Sequence, residues 1–261
     1  MTDLLQLEAY FDAVPRTAAR TETYGPLTLF ITVDGGWPYY ARPALGLDAE
    51  ITAADVTKVR DRQRELGLPE SFEWVDELSP SMRAAAEEAG LRVSAHPLMV
   101  LDQLSVRPVD DRVRRVAADD PGLALIRGVQ HVGFGAPGTA VGVAGTAQRD
   151  EAADDEATLA PLRARISAGT TIVYAAFDPG GPVAAGMHQP VGEVTEIVGV
   201  ATLPSARRRG LGAAVTRALA ADALASGVRT VFLSAGDPDV ARMYEHVGFR
   251  HVGTAMAGEP A

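Results

Sequence analysis

The chain of 261 residues contains no cysteine. Disulfide frameworks, thiolate metal sites and a cysteine nucleophile are therefore excluded. It also lacks an apolar run of about 18 residues, the length a membrane-spanning helix requires. No basic stretch followed by an apolar core stands at its start, as a secretory signal would need. A cytoplasmic location without a membrane partner is the expectation. Positive charge is in short supply, with 24 Lys and Arg against 34 Asp and Glu and a net charge of −10. A nucleic-acid surface calls for the opposite balance. A small or cationic substrate, such as an amine, is favoured by long-range attraction instead. No metal site is expected, because the acidic stretch Asp150–Glu156 lacks a ligand spacing at Asp154, Asp155 and Glu156. The Walker run G-x-x-x-x-G-K-[ST] is missing too. Gly210-Leu211-Gly212 continues into Ala213-Ala214-Val215, so valine stands where a dinucleotide fingerprint needs its third glycine.

What is present centres on Glu193–Gly212. Val194–Thr202 is β-branched and apolar with polar interruptions, which suits a strand. Leu203-Pro204 stops it, and Arg207-Arg208-Arg209-Gly210-Leu211-Gly212 opens an alanine-rich helix over Ala213–Ser226. Gly210 and Gly212 have no Cβ to keep an anion from the backbone. The first helical turn offers unpaired N–H groups and the positive end of the dipole. With three arginines alongside, the stretch describes a phosphate or pyrophosphate site.

The remaining pattern divides into two units, 1–105 and 106–261. In the first, Leu4–Val14 reads as a helix, Leu27–Val33 as a strand and Asp34-Gly35-Gly36 as a turn. Trp37–Leu45 reads as a return strand, which Pro38 and Pro43 confine to an edge. Thr52–Leu66 follows as a helix that Thr52 could cap, and Ser71–Val75 as a short strand. Ser79-Pro80 opens another helix with a cap and Pro at N1; it ends at Gly90, and Arg92–Leu101 is a strand. In the second unit Val113–Ala117 is a strand and Asp120-Pro121 starts a helix to about Val132. Gly133–Gly145 is glycine-rich and turn-like, and Leu159–Ser167 is helical. Thr170–Phe177 and Pro182–Met187 form a hairpin, and after the central strand and helix come strand Val228–Ser234, helix Pro238–His246 and a strand from Gly248. The ends of the units match at a constant offset of 158 residues: Gly90-Leu91 falls on Gly248-Phe249, Pro80 on Pro238 and Trp74 on Phe232. A period this long points to a duplicated domain. Tyr244 falls on Ala86, and Arg207–Gly212 falls on Ala49–Ala54, which has no glycine. The first copy thus reads as degenerate and non-catalytic.

Arg207, Gly210 and Gly212 satisfy [QR]-x-x-G-x-[GA], and Ala241, Tyr244 and Gly248-Phe249 satisfy A-x-x-Y-x-x-x-G-F. In that order, over about residues 106–261, they resemble the GNAT superfamily of N-acetyltransferases. The resemblance implies an α/β (α+β) fold: a central mixed, twisted sheet flanked by helices, here in two tandem units. It implies acetyl transfer from acetyl-CoA, a co-substrate, to a primary amine on a small molecule or peptide by direct attack in a ternary complex. It implies that Val200, Ala201 and Thr202 hold the pantetheine through β-like backbone bonds. The loop Arg207, Arg208, Arg209, Gly210, Leu211, Gly212 and Ala213 would hold the pyrophosphate. Tyr244 would be the general acid that protonates the departing thiolate, and Glu196 the base, with a strand N–H near Thr202 for the oxyanion. Even spacing places Glu196, Val198, Val200 and Thr202 on one strand face. Asp237 stands where the family often has asparagine; it is a cofactor contact or simply the cap of the helix begun by Pro238. His188, His246 and His251 read as structural or solvent-facing. Trp37, Tyr39 and Tyr40 line a groove or fill a core. A non-catalytic acyl-CoA-binding module is the alternative to an enzyme, and a monomer or homodimer is expected.

Overall fold

A computed structural model describes residues 2–33, 39–46, 49–105 and 110–261. The expected turn Asp34–Gly36, together with Trp37 and Pro38, lies outside the described residues. The chain forms two compact units, residues 1–98 with 252–261, and residues 99–251.

The first unit runs α1 (Thr2–Arg16), β1 (Ala19–Tyr24), β2 (Leu27–Thr32), β3 (Ala41–Pro43), α2 (Ala53–Glu65), β4 (Phe72–Val75), α3 (Pro80–Glu88) and β5 (Leu91–Leu101). β1, β2 and β3 make an antiparallel meander, and β3 pairs in parallel with β4 through Ala41 and Phe72. β2 reads L-T-L-F-I-T and is buried almost throughout, whereas β1 reads A-R-T-E-T-Y, exposes Arg20 and leaves Glu22 half-buried. Such charge on an edge discourages further strands from pairing there. Among the described residues of the return strand expected over Trp37–Leu45, Ala41–Pro43 form a strand. Pro43 at its end has no N–H to continue a ladder. Tyr39 and Tyr40 pack edge-on, Tyr40 also against Phe30, and the Tyr40 hydroxyl donates to the Phe11 carbonyl, so these rings are core and not groove. Thr52 caps α2 through a reciprocal box with Asp55. Ser79 precedes Pro80 at N1 but makes no side-chain cap bond, because its backbone sits at φ −141°, ψ 64°, outside the extended geometry a cap requires.

The second unit runs β6 (Val113–Val116), α4 (Leu123–Phe134), α5 (Thr146–Glu151), α6 (Glu156–Ser167), β7 (Ile172–Asp178), β8 (Gly181–Val191), β9 (Val194–Thr202), α7 (Leu211–Ala225), β10 (Thr230–Ser234), α8 (Pro238–Val247) and β11 (Phe249–Pro260). The strands β6 to β9 are antiparallel neighbours, and β10 joins β9 in parallel after the crossover through α7. Beyond Val252 the last strand lies in the first unit, where Ala255–Gly258 pair with Val75–Phe72 of β4. The core of the second unit is built from Ile126 and Val129 of α4, Ile197 of β9, and Leu211, Val215 and Leu219 of α7. α4 can lie close to the sheet because Gly133 has no side chain: a Cβ there would fall 2.8 Å from the Ala201 methyl. Four pairs of elements begin 158 residues apart, α2 and α7, β4 and β10, α3 and α8, β5 and β11. The same order of elements therefore recurs at the offset read from the sequence.

Candidate active site

Along β9 the ladder to β10 is short. Val194, Thr195 and Glu196 pair with Thr230, Val231 and Phe232, and there the pairing ends. From Ile197 to Thr202, β9 is still paired to β8 on its other edge. The edge that turned to β10 therefore carries backbone N–H and C=O groups without a strand partner, and such groups demand one. The parting coincides with an irregularity. Opposite Gly186 the β8–β9 register skips, with Ala185 facing Ala201 and Met187 facing Val198, and Gly199 sits at φ +65°. This is a bulge, which bends a strand and raises its twist. Gln130 of α4 holds it, donating from Nε2 to the Gly199 carbonyl at 2.8 Å.

The bulge also corrects the expectation that Glu196, Val198, Val200 and Thr202 share a face. One extra residue reverses the alternation. Thr195 bonds His188, which reaches Asp222 of α7, so Thr195 lies on the α7 side. Beyond the bulge Val200 lies beside Val215 and Leu219, and Thr202 near Gly212, again on the α7 side. Odd positions before Gly199 and even positions after it share that side. Glu196 and Val198 point to the opposite face.

After Thr202 the chain makes a short 3-10 turn at Pro204–Ala206 and two left-handed residues, Arg208 at φ 63° and Gly210 at φ 74°. A left-handed non-glycine residue is costly and is found where surrounding structure fixes it. Gly210 is the N-cap of α7, and no side chain caps the helix. The amides of Leu211, Gly212 and Ala213 thus face outward with no intrahelical acceptor. A Cβ on Gly210 would meet nothing within 4 Å, so it opens on space. Leu211, fully buried, anchors the helix start in the core.

Strand end, loop and helix start line a cleft of about 930 Å³ within the second unit. Glu196, Val200, Ala201, Thr202, Arg207, Arg208, Gly210, Leu211, Gly212, Ala213, Asp237 and Tyr244 all border it. Its size suits a small-molecule site. The three arginines behave differently. Arg209 turns to Asp178, with contacts of 2.7 and 3.1 Å, and its side chain does not line the cleft. That guanidinium holds the Asp178 carboxyl below the usual carboxylate range. Arg207 donates to main-chain carbonyls. Arg208 is exposed and forms no ion pair among the described residues.

Tyr244 on α8 is 5% exposed and packs edge-on to Phe249, with ring centres 6.0 Å apart. Burial raises its pKa well above the ordinary phenol value, so the hydroxyl carries its proton at any working pH. Asp237 caps α8, accepting from the Val240 N–H at 2.8 Å. His188 is buried between Thr195 and Asp222, with its pKa lowered by burial, and does not line the cleft. His246 borders the cleft mouth and its ring nitrogen lies 2.6 Å from the Arg242 carbonyl, while His251 is exposed. The sequence reading missed the opposite wall: Gly133, Phe134 and Pro137–Thr139. The glycine-rich stretch from Gly133 was the available signal, since so many glycines mark close backbone approaches. Among the described residues no group of three His, Cys, Asp or Glu could hold a metal ion, and no helix is long and apolar enough to cross a membrane.

Residues 137–249 match the sequence model of the Acetyltransferase (GNAT) family. No curated protein matches the chain. Among solved structures, a GCN5-related N-acetyltransferase from Kribbella flavida is similar over 99% of this chain and 96% of its own, at 22% identity and a TM-score of 0.70. An acetyltransferase of the GNAT family from Colwellia psychrerythraea covers 100% and 97% at 14% identity, with a TM-score of 0.57. A tandem GNAT protein from the clavulanic acid biosynthesis pathway covers 89% of this chain and 77% of its own at 14% identity, with a TM-score of 0.57. These likenesses are of fold. The splayed strands and the uncapped helix after the glycine loop fall within the residues that match the Acetyltransferase (GNAT) family model, 137–249, and the chain has the fold of solved GNAT acetyltransferases, one of them a tandem GNAT protein.

Proposed function

We propose that the second unit moves an acetyl group from acetyl-CoA to a primary amine, on a small molecule or peptide, by direct attack in a ternary complex. The observation that carries this reading is the unpaired edge of β9 beyond Glu196, which runs straight into an uncapped helix start. An extended polyamide chain can add to such an edge as a strand would. The diphosphate of the same molecule then meets the amides of Leu211–Ala213 and the positive end of α7. The residues fit the group: Gly210 leaves open space, and a Cβ on Gly212 would make only ordinary contact with Thr202 and Met243.

In this reading Val200, Ala201 and Thr202 orient the thioester by main-chain bonds, and a strand N–H near Thr202 donates to the carbonyl oxygen as charge builds there. The amine nitrogen bonds to the acetyl carbon and the carbon–sulfur bond breaks. Tyr244 gives its proton to the departing sulfur. Glu196, on the other face of β9 but bordering the same cleft, receives the proton that the amine must lose, directly or through water. Asp237 caps α8 and borders the cleft, where it can also contact the co-substrate. The test is thiol release from acetyl-CoA with a panel of amines, alongside calorimetry with CoA. Turnover with an amine supports transfer. Tight CoA binding with no turnover on any amine points to the acyl-CoA-binding module instead.

A further inference from the structure

The guanidinium of Arg207 faces no carboxylate among its hydrogen-bond partners; all of them are carbonyls. It donates to Gly133 at 3.1 Å, to Ala140 at 3.2 Å, to Ala136, and more weakly to Thr202 at 3.4 Å. Gly133 lies in the last turn of α4, whose final carbonyls have no intrahelical donor. A cation there also meets the negative end of the helix dipole. Arg207 is half-buried, and burial rather than any acid shifts its pKa, downward. The same end of α4 abuts β9 through Gly133 and Ala201.

We infer that Arg207 is a positioning residue: it clamps the end of α4 and the loop to Ala140 against the end of β9, and so holds one wall of the cleft. The cation left for a phosphate is Arg208. The inference rests on the proposed function for what the wall encloses, but the clamp itself is a property of the unliganded protein. A planar fork with five donors suits several carbonyls at once, and an ammonium does not. The first arginine of the loop motif thereby acts through the opposite wall, away from the anion.

The experiment compares Arg207→Gln, Arg207→Lys and Arg208→Gln with the wild type. Hydrogen exchange in the unliganded protein reads the clamp at two amides bonded beside the loop, Gly135 to His131 and Gly142 to Pro204. Arg207→Gln is expected to speed exchange at Gly142 by about tenfold or more, the scale of losing hydrogen bonds to a charged donor. Arg208→Gln should leave it unchanged. Calorimetry with CoA and with pantetheine, which lacks the diphosphate, reads the ligand side. Arg207→Gln should weaken both by a similar factor, whereas Arg208→Gln should weaken CoA alone and flatten its salt dependence. If Arg207→Gln fails to fold, Arg207→Lys keeps the charge without the fork and should still speed the exchange. Unchanged exchange in the folded variants, or loss of CoA binding alone on Arg207→Gln, overturns the inference. If the wild type binds neither CoA nor pantetheine, the proposed function fails, and exchange still decides the clamp.

Discussion

The helices α2 and α7 begin 158 residues apart and follow corresponding strands, yet their first turns are opposites. At α2 the Thr52 side chain accepts from the Asp55 N–H, and the Asp55 carboxylate accepts from the Thr52 N–H at 3.1 Å and from its hydroxyl at 2.6 Å. A carboxylate of the chain itself thus occupies the positive end of the helix. At α7 no side chain does so; Gly210 stands at the cap and the amides face the cleft. One copy satisfies its helix start internally and gains stability. The other leaves it open, which costs stability and is what the proposed anion site requires. The adjoining strands differ likewise. β9 bulges at Gly199 and leaves its edge open over Ile197–Thr202, whereas β3 is three residues long, with Ala41 paired to Phe72. The proposed function draws on unsatisfied backbone, and the first copy has little of it here.

The largest expected effect is at Gly210. Gly210→Asp puts a carboxylate into the cleft and a side chain on a left-handed residue. It mimics what Asp55 does in the first copy. CoA binding should vanish in calorimetry while far-ultraviolet circular dichroism stays that of the wild type. Wild-type affinity in the folded variant would remove the anion from this loop.

Next comes Tyr244→Phe, which removes the proton and keeps the ring against Phe249. Acetyl transfer should fall about 10²–10⁴-fold, with CoA affinity nearly constant. A donor with a more acidic leaving thiol should lose less. A purely packing tyrosine would instead tolerate Phe. Ala86 holds the corresponding place in the first copy, so the acid would belong to one copy alone.

The order of elements was readable because periodicity, Pro and Gly punctuate them: Pro80 and Pro238 each open a helix, and Gly90 and Gly248 each close one at positive φ. β1 was not readable, since R-T-E-T is too polar for an apolar alternation and gains its place from β2. Nor was the pairing of the last strand with β4, because a strand's partner is set by topology and not by its own residues. The glycine loop and Tyr244 were legible as residue types. The fates of Arg207 and Arg209 were not, because carbonyls of a distant loop and Asp178 claim them. The face of Glu196 was misread for a local reason: a single left-handed glycine reverses strand parity.

A third contrast lies in β4 and β10, where Glu73 corresponds to Val231. Val231 is buried in the second core. Glu73 is pushed up to about 7, first by burial, with Arg42 opposing and Glu259 adding. A carboxyl with a raised folded pKa binds its proton more tightly in the native state. Its contribution is whole below the unfolded value of 4.5 and is lost as pH rises toward 7. Glu73→Gln should therefore stabilise the protein at pH 8, by on the order of 1–3 kcal/mol. It should also flatten stability between those two values. Urea midpoints across that window check it, and an unchanged slope would mean that Glu73 is solvated.

The smallest effect tests the opening contrast from the other side. Asp55→Ala breaks the capping box of α2 and leaves Thr52 as a simple cap. The loss should be about 1 kcal/mol of stability at neutral pH. The Thr52 hydroxyl and N–H lower the Asp55 pKa. A depressed carboxyl contributes above its unfolded pKa and loses that contribution as pH falls through the folded one. The wild type and variant should therefore converge as pH falls below the usual carboxylate range, which thermal melts across the acid range would show. The variant also uncovers the amides that Asp55 had occupied. If an open helix start were enough to bind CoA, a second site would appear. The expectation is that calorimetry still gives one site per chain, because the segment before α2 has no glycine turn matching Gly210–Gly212 and β3 offers no long free edge. A second CoA site in Asp55→Ala would mean that the first copy had lost its cofactor to one carboxylate alone, and that strand and loop contribute little to recognition.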